Sequence, residues 1–515
     1  MSLTNSNKQT PFALAPRARF WLALVFVLHA LLGANLGLSV DEAHYALYAA
    51  HPALSYFDHP PLVGWVQWPL VALDAPTWLL RLSPGVLWLG TVLLVARIAA
   101  RLCVEARNQE QAVFWSVAAL LLAPLLHILG IGLLPDTLLM FWSAALMLQT
   151  LRLQEPAQAQ SPGQWLLLGA LLGLAGLSKY TAIFAALAVA LCLLSAHGLA
   201  LLRKPWLWVA TLLALALVSP VAIWNAQNQW VSFTYQSKHG AGGVWQAMHV
   251  LRFVLVQLLA FGPLLCWGAA GLAGVYTSQR AFIGFFAIPF AVLAYLSGGG
   301  SSLPHWTAPA WVVCAPFAGI GIARALAGGK AWGVRACVLL QALACVALPA
   351  VMLSGGMPFM QGKTASAEST DAPNPFADLH GWEQAGARAK QLAAQHGLQA
   401  VAVQNWTLAS RIGWYARPLR VHVLEDRFDQ FDLWAGKLPV GGSALLVDWS
   451  QLPYETPLGA NGFAHCERLD SLAIQHLGYA LSSFDFYACS GWSGDPAPRL
   501  KSAAALASSA PSAKP

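Results

Sequence analysis

The chain has 515 residues, of which 57% are hydrophobic and only 10% are charged, and its formal net charge is +7. A soluble protein carries roughly 25% charged residues, so this composition excludes an ordinary soluble enzyme and predicts a polytopic membrane protein. The basic residues lie at the ends of apolar runs rather than in a cluster on a polar face. This distribution argues against nucleic-acid binding and favours a role in membrane orientation.

Apolar segments predict eleven membrane-spanning helices. They lie at residues 19–39, 78–101, 112–131, 133–151, 163–179, 181–200, 206–224, 250–275, 281–298, 306–325 and 332–353. The first apolar run follows a basic N-terminal stretch, and no small-residue cleavage site comes after it. We therefore interpret it as a retained signal anchor.

The loop charges predict the orientation of these helices. With the N-terminus in the cytoplasm, every predicted cytoplasmic segment contains Lys or Arg, as the positive-inside rule requires. These residues are Lys8, Arg17, Arg19, Arg97, Arg101, Arg107, Arg152, Arg203, Lys204, Arg280, Arg324, Lys330 and Arg335. We expect a multi-pass membrane protein with its acidic motifs and its C-terminal region on the outer face.

The region after the last predicted span has a different composition. Residues 1–353 form the predicted transmembrane domain, 354–372 a Gly/Ser/Thr-rich linker, 373–492 a soluble domain, and 493–515 an Ala/Ser/Pro-rich disordered tail. A helical pattern at 380–397 precedes strand-like runs at 399–405, 419–424 and 443–449, which indicates a small α/β or α+β domain. Cys466 and Cys489 are the only cysteine pair in this domain, and an oxidising compartment favours a disulfide between them.

Acidic and histidine residues are crowded in the stretch from Val40 to Gly64. Asp41 and Glu42 follow the first span, and Asp58 and His59 precede a rigid Pro-Pro turn. We expect an amphipathic helix between the two clusters to lie along the membrane interface, with Tyr45 near headgroup level. The two acidic clusters could then face each other across a cavity. The alternative for the first cluster is an interfacial helix cap.

Further candidates lie in other predicted outer loops, and each has a structural alternative. Asp136 occupies a very short turn, where a helix N-cap would explain it. Lys179, next to Tyr180, is a lone cation at a span end and either snorkels or pairs with a phosphate. Asn225 stands in an aromatic and amide-rich segment suited to a sugar or headgroup, although interfacial Trp residues are common in any membrane protein.

A divalent metal site is a further hypothesis. His305 follows a flexible glycine run on the same predicted face, and His239 and His249 lie in another outer loop. Together with Asp58 or Glu42 these residues have the right chemistry for metal ligands. No tight ligand spacing supports a site, so the metal requirement stays open.

Five motifs together resemble a known family. DEAHYALYAAHPALSYFDHPPLVGW, LPDTLLMFW, GLSKYTA, PVAIWNAQNQWVSF and PHWTAPAW are similar to the bacterial branch of the dolichyl-phosphate-mannose–protein mannosyltransferase family. These are glycosyltransferases of the membrane-embedded C-type fold, related to the aminoarabinose transferase that modifies lipid A. The resemblance covers roughly residues 15–350, in the same order.

The resemblance implies a role for several residues. The catalytic candidates are Asp41, Glu42 and Asp136. Asp41 matches the acid after the first span that serves as catalytic base or positions the acceptor, and Glu42 is its neighbour. Asp58-His59 matches the family's second acidic motif. Asp136 matches the family's acid in the short turn of the second outer loop, and Lys179 matches the lysine of the family's Ser-Lys-Tyr-Thr-like segment. His59 replaces the lysine of the aminoarabinose enzyme, which makes aminoarabinose a less secure substrate.

The implied reaction is the transfer of a sugar from a polyprenyl-phosphate donor to a lipid A, polysaccharide, lipid or protein acceptor. A lipid phosphate is already a leaving group, so the reaction needs a base and cations that stabilise the phosphate, here Lys179 with Arg81, Arg252 or His59. Membrane lipids are the other expected partners. Two other classes remain: a transporter of lipid-linked sugars, which would favour internal repeats and mid-membrane polar groups, and a non-catalytic glycan- or lipid-binding protein.

Overall fold

The computed structural model describes residues 14–300, 302–357, 359, 374–452 and 462–496. Helices dominate as far as residue 353. They are α1 (Pro16–Asn35), α2 (Val40–Ala50), α3 (Leu62–Ala72), α4 (Thr77–Leu80), α5 (Leu82–Leu102), α6 (Gln109–Leu121), α7 (Pro124–Ile131), α8 (Pro135–Leu153), α9 (Pro156–Ala159), α10 (Pro162–Ser178), α11 (Ala182–His197), α12 (Pro205–Gln227), α13 (Val231–Ala241), α14 (Ala247–Phe261), α15 (Gly268–Gly271), α16 (Gly284–Ser297), α17 (Ala308–Ala327) and α18 (Ala331–Leu353). Most of the predicted linker and tail lies outside the described residues.

The prediction of a polytopic helical membrane protein is confirmed, but the count of eleven spans is not. Within the described residues, seven helices are long and apolar enough to cross a membrane, or up to nine if each of two bent pairs is one span. At about 1.5 Å per residue, the 17 residues of α10 are short for a core about 30 Å thick. Helix α8 carries Asp136, Gln149 and Arg152, which lower its apolar character.

The chain divides into two compact units that interleave along the sequence. The first comprises residues 1–31, 59–63 and 81–345, and the second comprises residues 32–58, 64–80 and 346–515. The stretch that carries Asp41 therefore belongs to the same compact unit as the C-terminal domain. The first unit contains Asp136 and Lys179.

Small residues let the helices of the first unit approach closely. A methyl group at Gly169 of α10 would stand 2.4 Å from the carbonyl oxygen of Ala210 in α12, and one at Gly173 would stand 2.6 Å from Leu217. Glycine therefore allows the two backbones to meet, as is common where membrane helices associate by van der Waals packing.

Gln341 of α18 satisfies the backbone at both helix breaks of the first unit. Its amide nitrogen donates to the carbonyl oxygens of Leu122, at 2.8 Å, and of Phe261, at 3.3 Å, while its oxygen accepts from the Leu264 amide at 2.8 Å. The bent pairs turn by 73° and 107° at these points. A break in an apolar environment needs such a partner, because unpaired backbone groups there are costly.

The C-terminal part of the second unit is a mixed five-stranded sheet with helices. The elements are α19 (Trp382–Gln395), β1 (Ala400–Val403), α20 (Trp406–Tyr415), β2 (Arg420–Val423), α21 (Gln430–Trp434), β3 (Ala444–Trp449), β4 (Phe463–His476) and β5 (Tyr479–Trp492). The strand order is β2-β1-β3-β5-β4. β1 pairs in parallel with β2 and β3, whereas β5 is antiparallel to β3 and β4. A small sheet domain was predicted, and it is confirmed.

The connections follow from the strand directions. Parallel strands need a crossover, and α20 supplies it between β1 and β2. The β4–β5 hairpin turns through Leu477 and Gly478, which both have positive φ, as a tight two-residue hairpin turn requires. Cys466 and Cys489 face each other on these two strands and form a disulfide.

Asp448 in β3 predicts a pH-dependent stability of the sheet. Burial raises the pKa of Asp448 to about 7, even though the amide of Gln404 donates to its carboxylate at 2.9 Å. Because the pKa of Asp448 is higher in the folded than in the unfolded protein, protonation of Asp448 favours the folded state. This contribution to stability is complete below about pH 4 and is lost as the pH rises through 7. We expect the free energy of local unfolding of β3 to fall by about 2 kcal/mol from pH 5 to pH 8.

The measurement is amide hydrogen exchange of β3 in the full-length protein, with protection corrected for the intrinsic exchange rate at each pH. The Asp448→Asn variant is the control, because an amide does not ionise in this range. It should be equally protected at both pH values. If it keeps the wild-type pH dependence, Asp448 is not the responsible group.

Candidate active site

Helix α2 begins with a capping box that separates the roles of Asp41 and Glu42. The Ser39 hydroxyl accepts from the Glu42 amide at 3.4 Å, and the Glu42 carboxylate accepts from the amide and hydroxyl of Ser39, both at 3.0 Å. This reciprocal arrangement satisfies backbone donors at the helix start. Glu42 is buried, whereas Asp41, in the same first turn, is half-buried.

Asp41 interacts electrostatically with Arg411 of α20. The Arg411 side chain is only 1% exposed and forms an ion pair with Asp378. Its guanidinium lies over the ring of Trp382, 3.9 Å from the centroid, and Nε donates to the Thr407 carbonyl at 3.1 Å. Burial lowers the pKa of Arg411 well below its usual value, and the negative charge of Asp41 opposes this shift.

His44 joins Asp58 to the C-terminal domain. Its Nδ1 lies 3.0 Å from the Ser410 hydroxyl, which itself donates to the Trp406 carbonyl at 2.7 Å. The other ring nitrogen of His44, Nε2, lies 3.8 Å from a carboxylate oxygen of Asp58. The Tyr48 hydroxyl donates to the same Asp58 oxygen. Burial, followed by the charge of Asp58, raises the pKa of Tyr48, which keeps that donor protonated.

The two tyrosines of α2 that were expected near headgroup level are buried in protein. Tyr45 and Tyr48 are 6% and 0% exposed, and Tyr48 stacks on Tyr56 with ring centroids 3.6 Å apart. Both rings therefore contact protein rather than lipid headgroups. The apolar face of α2 instead packs in the hydrophobic core of the second unit.

The first unit contains a buried ion pair between two predicted residues. Lys179 Nζ donates to both carboxylate oxygens of Asp136, at 2.7 and 2.6 Å. Asp136 is 1% exposed and Lys179 is 6% exposed. His305 Nε2 lies 3.8 Å from Asp136, and the Trp306 ring centroid is 5.8 Å from Lys179 Nζ.

Two helix ends bring these side chains together. Asp136 lies in the first turn of α8, after the N-cap residue Leu134, and Lys179 is the C-cap residue of α10. Both charges match the ends of the helix dipoles that they occupy. The carboxylate accepts from Lys179, so Asp136 is not the N-cap itself, and Lys179 is buried in a pair rather than snorkelling.

The remaining predicted residues have different surroundings. Asn225 is fully buried, where its amide donates to the Val221 carbonyl at 3.0 Å and its oxygen accepts from the Ser232 amide at 3.2 Å. These hydrogen bonds connect the C-terminal end of α12 to the start of α13. Tyr180 packs on Phe233, and Arg81 is buried at the start of α5. His59 is half-buried in the first unit.

The metal hypothesis gains no support from the described part of the chain. No group of three His, Cys, Asp or Glu side chains that could hold a metal ion occurs among the residues described. The His239 side chain lies outside them, while His249 Nδ1 lies 3.0 Å from the Gly298 carbonyl oxygen.

Sequence reasoning did not select His44, Ser410 or Arg411 as site residues. His44 was visible in the acidic stretch, and its i, i+4 spacing to Tyr48 on a helix could have identified it. Ser410 and Arg411 lie in an aromatic segment that reads as core packing. No local pattern connects that segment to α2 across more than 360 residues.

Fold and sequence together define a polytopic helical membrane protein with a small C-terminal sheet domain. Residues 58–224 match the model of the dolichyl-phosphate-mannose-protein mannosyltransferase family. The lipid A galacturonosyltransferase RgtD of Rhizobium johnstonii is 27% identical over 277 residues, which cover 52% of this chain and 56% of that protein. The match thus spans little more than half the length of this curated relative.

Solved structures share the fold. ArnT of Cupriavidus metallidurans, in a crystal structure with undecaprenyl phosphate, superposes with a TM-score of 0.61 at 17% identity, over 92% of this chain and 98% of that chain. The mycobacterial arabinofuranosyltransferase AftD superposes with a TM-score of 0.51 at 14% identity, over 93% of this chain and 40% of that one. The family resemblance predicted from the five motifs is confirmed, and the chain has the ArnT-like fold.

The Asp136–Lys179 pair predicts a coupled effect on stability. Lys179→Met leaves a buried carboxylate without its cation, and Asp136→Asn leaves a buried ammonium without its anion. Removing one partner of such a pair costs about 3–5 kcal/mol. We expect each single variant to lose about that much stability in detergent, and the double variant to recover at least half of it, as measured by denaturant unfolding.

Lys238→Met is the matched control, because Lys238 is an exposed lysine of the same unit. It should change the unfolding free energy by less than about 0.5 kcal/mol. Additive losses in the double variant would contradict direct coupling between Asp136 and Lys179.

Proposed function

We propose that the chain is an inverting glycosyltransferase that moves a sugar from a polyprenyl-phosphate donor to an acceptor on the periplasmic side of the bacterial inner membrane. The observation that carries the proposal is the buried Asp136–Lys179 pair with His305 beside it. Ionisable groups buried among membrane helices are costly and mark functional sites. A lysine ammonium is a suitable partner for a phosphate.

The similar proteins support the same class of reaction. RgtD is named as a lipid A galacturonosyltransferase, and ArnT has been crystallised with undecaprenyl phosphate. A polyprenyl-phosphate sugar supplies its own leaving group. The acceptor class that these names favour is lipid A or another glycolipid, with polysaccharide and protein as the wider range.

The proposed reaction is a single displacement. The acceptor hydroxyl oxygen forms a bond to the anomeric carbon while the bond from that carbon to the phosphate oxygen breaks. The bonding electron pair stays on the phosphate oxygen, and Asp41 takes the hydroxyl proton. One displacement inverts the anomeric configuration.

We assign phosphate stabilisation to Lys179, with Arg81 and His59 as further cations. Asp136 accepts hydrogen bonds from Lys179 Nζ at a buried position, so we propose Asp136 as a positioning residue. Asp58 is proposed to bind substrate, oriented by Tyr48 and His44. The roles of Tyr45, Tyr180, Asn225 and His305 in substrate binding remain part of the same proposal.

The neighbouring carboxylates of α2 give a matched test of the base. Asp41→Asn removes the proton acceptor, and general base catalysis contributes about 10²–10⁴-fold. We expect at least a 100-fold lower rate with unchanged expression. The measurement is sugar transfer by purified protein from polyprenyl-phosphate sugars, with products identified by mass spectrometry against the lipids and glycans of a deletion strain.

Glu42→Gln is the control, because glutamine also completes a capping box. Its transfer rate should stay within about threefold of wild type. A wild-type transfer rate in Asp41→Asn would contradict the assignment of Asp41 as the base. Equal losses of transfer rate in both variants would indicate instead that the fold of α2 is disturbed.

The double variant Asp136→Asn/Lys179→Met separates folding from chemistry. Because the double change removes both buried charges, the protein should fold. Its transfer rate should nevertheless stay at least about 100-fold below wild type, since the cation for the phosphate is gone. A stable double variant with wild-type transfer would exclude Lys179 from the reaction.

A further inference from the structure

Two cavities of the second unit lie on either side of Arg417. One has a volume of about 260 Å³ and is walled by His51, Arg420 and Trp434. The other has a volume of about 570 Å³ and is walled by Trp68, Asp74, Lys390 and Trp414. Ala50, Arg417 and Pro418 belong to both walls. Small-molecule sites have volumes of about 300–1,000 Å³, so the larger cavity lies within this range and the smaller one lies just below it.

Arg417 presents an unsatisfied donor in the shared wall. Its guanidinium carbon lies over Trp414, 3.3 Å from the ring centroid, and its Nη1 atom is buried without a hydrogen-bond partner among the described residues. Burial lowers the pKa of Arg417, and the negative charge of Asp74 opposes that shift. A buried donor without a partner costs about 1–3 kcal/mol, more when the group is charged. An acceptor oxygen of a ligand would remove that cost.

The charges of the two walls favour an anion. Arg417, Arg420 and Lys390 are cationic, whereas Asp74 is the one carboxylate among the residues that line the cavities. His51 stacks on Trp434 with centroids 4.9 Å apart. Aromatic faces next to Arg and Lys suit a phosphate joined to a sugar or glycerol group.

The second cavity lies close, along the chain, to a membrane-spanning segment. The candidate span Thr77–Leu102 begins three residues after Asp74. Trp68 of α3 and Leu73 after it are 51% and 79% exposed. Large apolar side chains exposed next to a membrane entry point favour contact with lipid, with tryptophan at the interface. The anion that reaches this cavity is therefore most simply the headgroup of a lipid.

We propose that the cavities around Arg417 bind the headgroup of an anionic membrane lipid, with the phosphate on Arg417 and with Arg420 and Lys390 on either side. The proposal goes beyond glycosyl transfer, because it concerns binding and holds whether or not the bound lipid is the acceptor. It assigns a ligand site to the C-terminal domain.

The test is a lipid titration of the purified full-length protein in neutral detergent, followed by native mass spectrometry. The probes are dioleoyl phosphatidic acid, dioleoyl phosphatidylcholine and inorganic phosphate. We expect phosphatidic acid to bind at least about tenfold more tightly than phosphatidylcholine or inorganic phosphate. Arg417→Gln should weaken its binding about tenfold, because a charge-assisted hydrogen bond is lost.

Arg420→Gln is the second variant, because Arg420 is exposed and its replacement leaves the stack on Trp414 intact. It should weaken binding about threefold, which keeps the test decisive if Arg417→Gln does not fold. Lys437→Gln, an exposed lysine outside both cavities, should bind as wild type. Asp41→Asn should also bind phosphatidic acid normally, so that lipid binding and sugar transfer can fail separately.

Two results would overturn the proposal. One is wild-type binding of phosphatidic acid by both Arg417→Gln and Arg420→Gln. The other is binding of inorganic phosphate as tight as that of phosphatidic acid, which would identify a soluble phosphate as the ligand.

Discussion

The burial of α2 in the hydrophobic core of the second unit is the constraint on which the candidate site depends. Leu38, Ala43, Ala46 and Leu47 share one core with the C-terminal helices and strands. An isolated helix of 11 residues is only marginally stable in water, so this packing, with the Ser39–Glu42 capping box, keeps α2 folded. The C-terminal domain therefore supplies structural support for the element that carries Asp41, and it also supplies Ser410 and Arg411 directly.

Local pattern was enough to predict much of the fold. Apolar length located the helical segments, because a membrane requires about 20 apolar residues per span. Short runs rich in Val or Leu located β1, β2 and β3, since buried strands have such runs. The two bent helix pairs show where prediction from local pattern fails. Whether an apolar run forms one straight span or a broken one depends on a distant partner, here Gln341. The run itself does not contain that partner.

The site was predictable in its residues but not in its contacts. Asp41, Asp58, Asp136 and Lys179 stand out because charge is rare in this chain. Their partners are remote: Lys179 is 43 residues from Asp136, and Ser410 is 366 residues from His44. An amphipathic α2 fits a lipid surface or a protein core equally well, because both accept the same apolar face. Only tertiary structure decides between them, and here the core includes the aromatic ring of Phe431.

Helix geometry gives different roles to the neighbouring carboxylates Asp41 and Glu42. With Ser39 as the N-cap, Glu42 is at the third helical position, where a side chain reaches back to the cap, while Asp41 is at the second and is not used by the capping box. Asp41 lies in the first turn of α2, at the positive end of the helix dipole, and interacts electrostatically with Arg411. A displacement with oxocarbenium character needs no strong base. The acceptor hydroxyl becomes acidic as its oxygen bonds to the anomeric carbon, so the proton leaves late and a correctly placed carboxylate is sufficient.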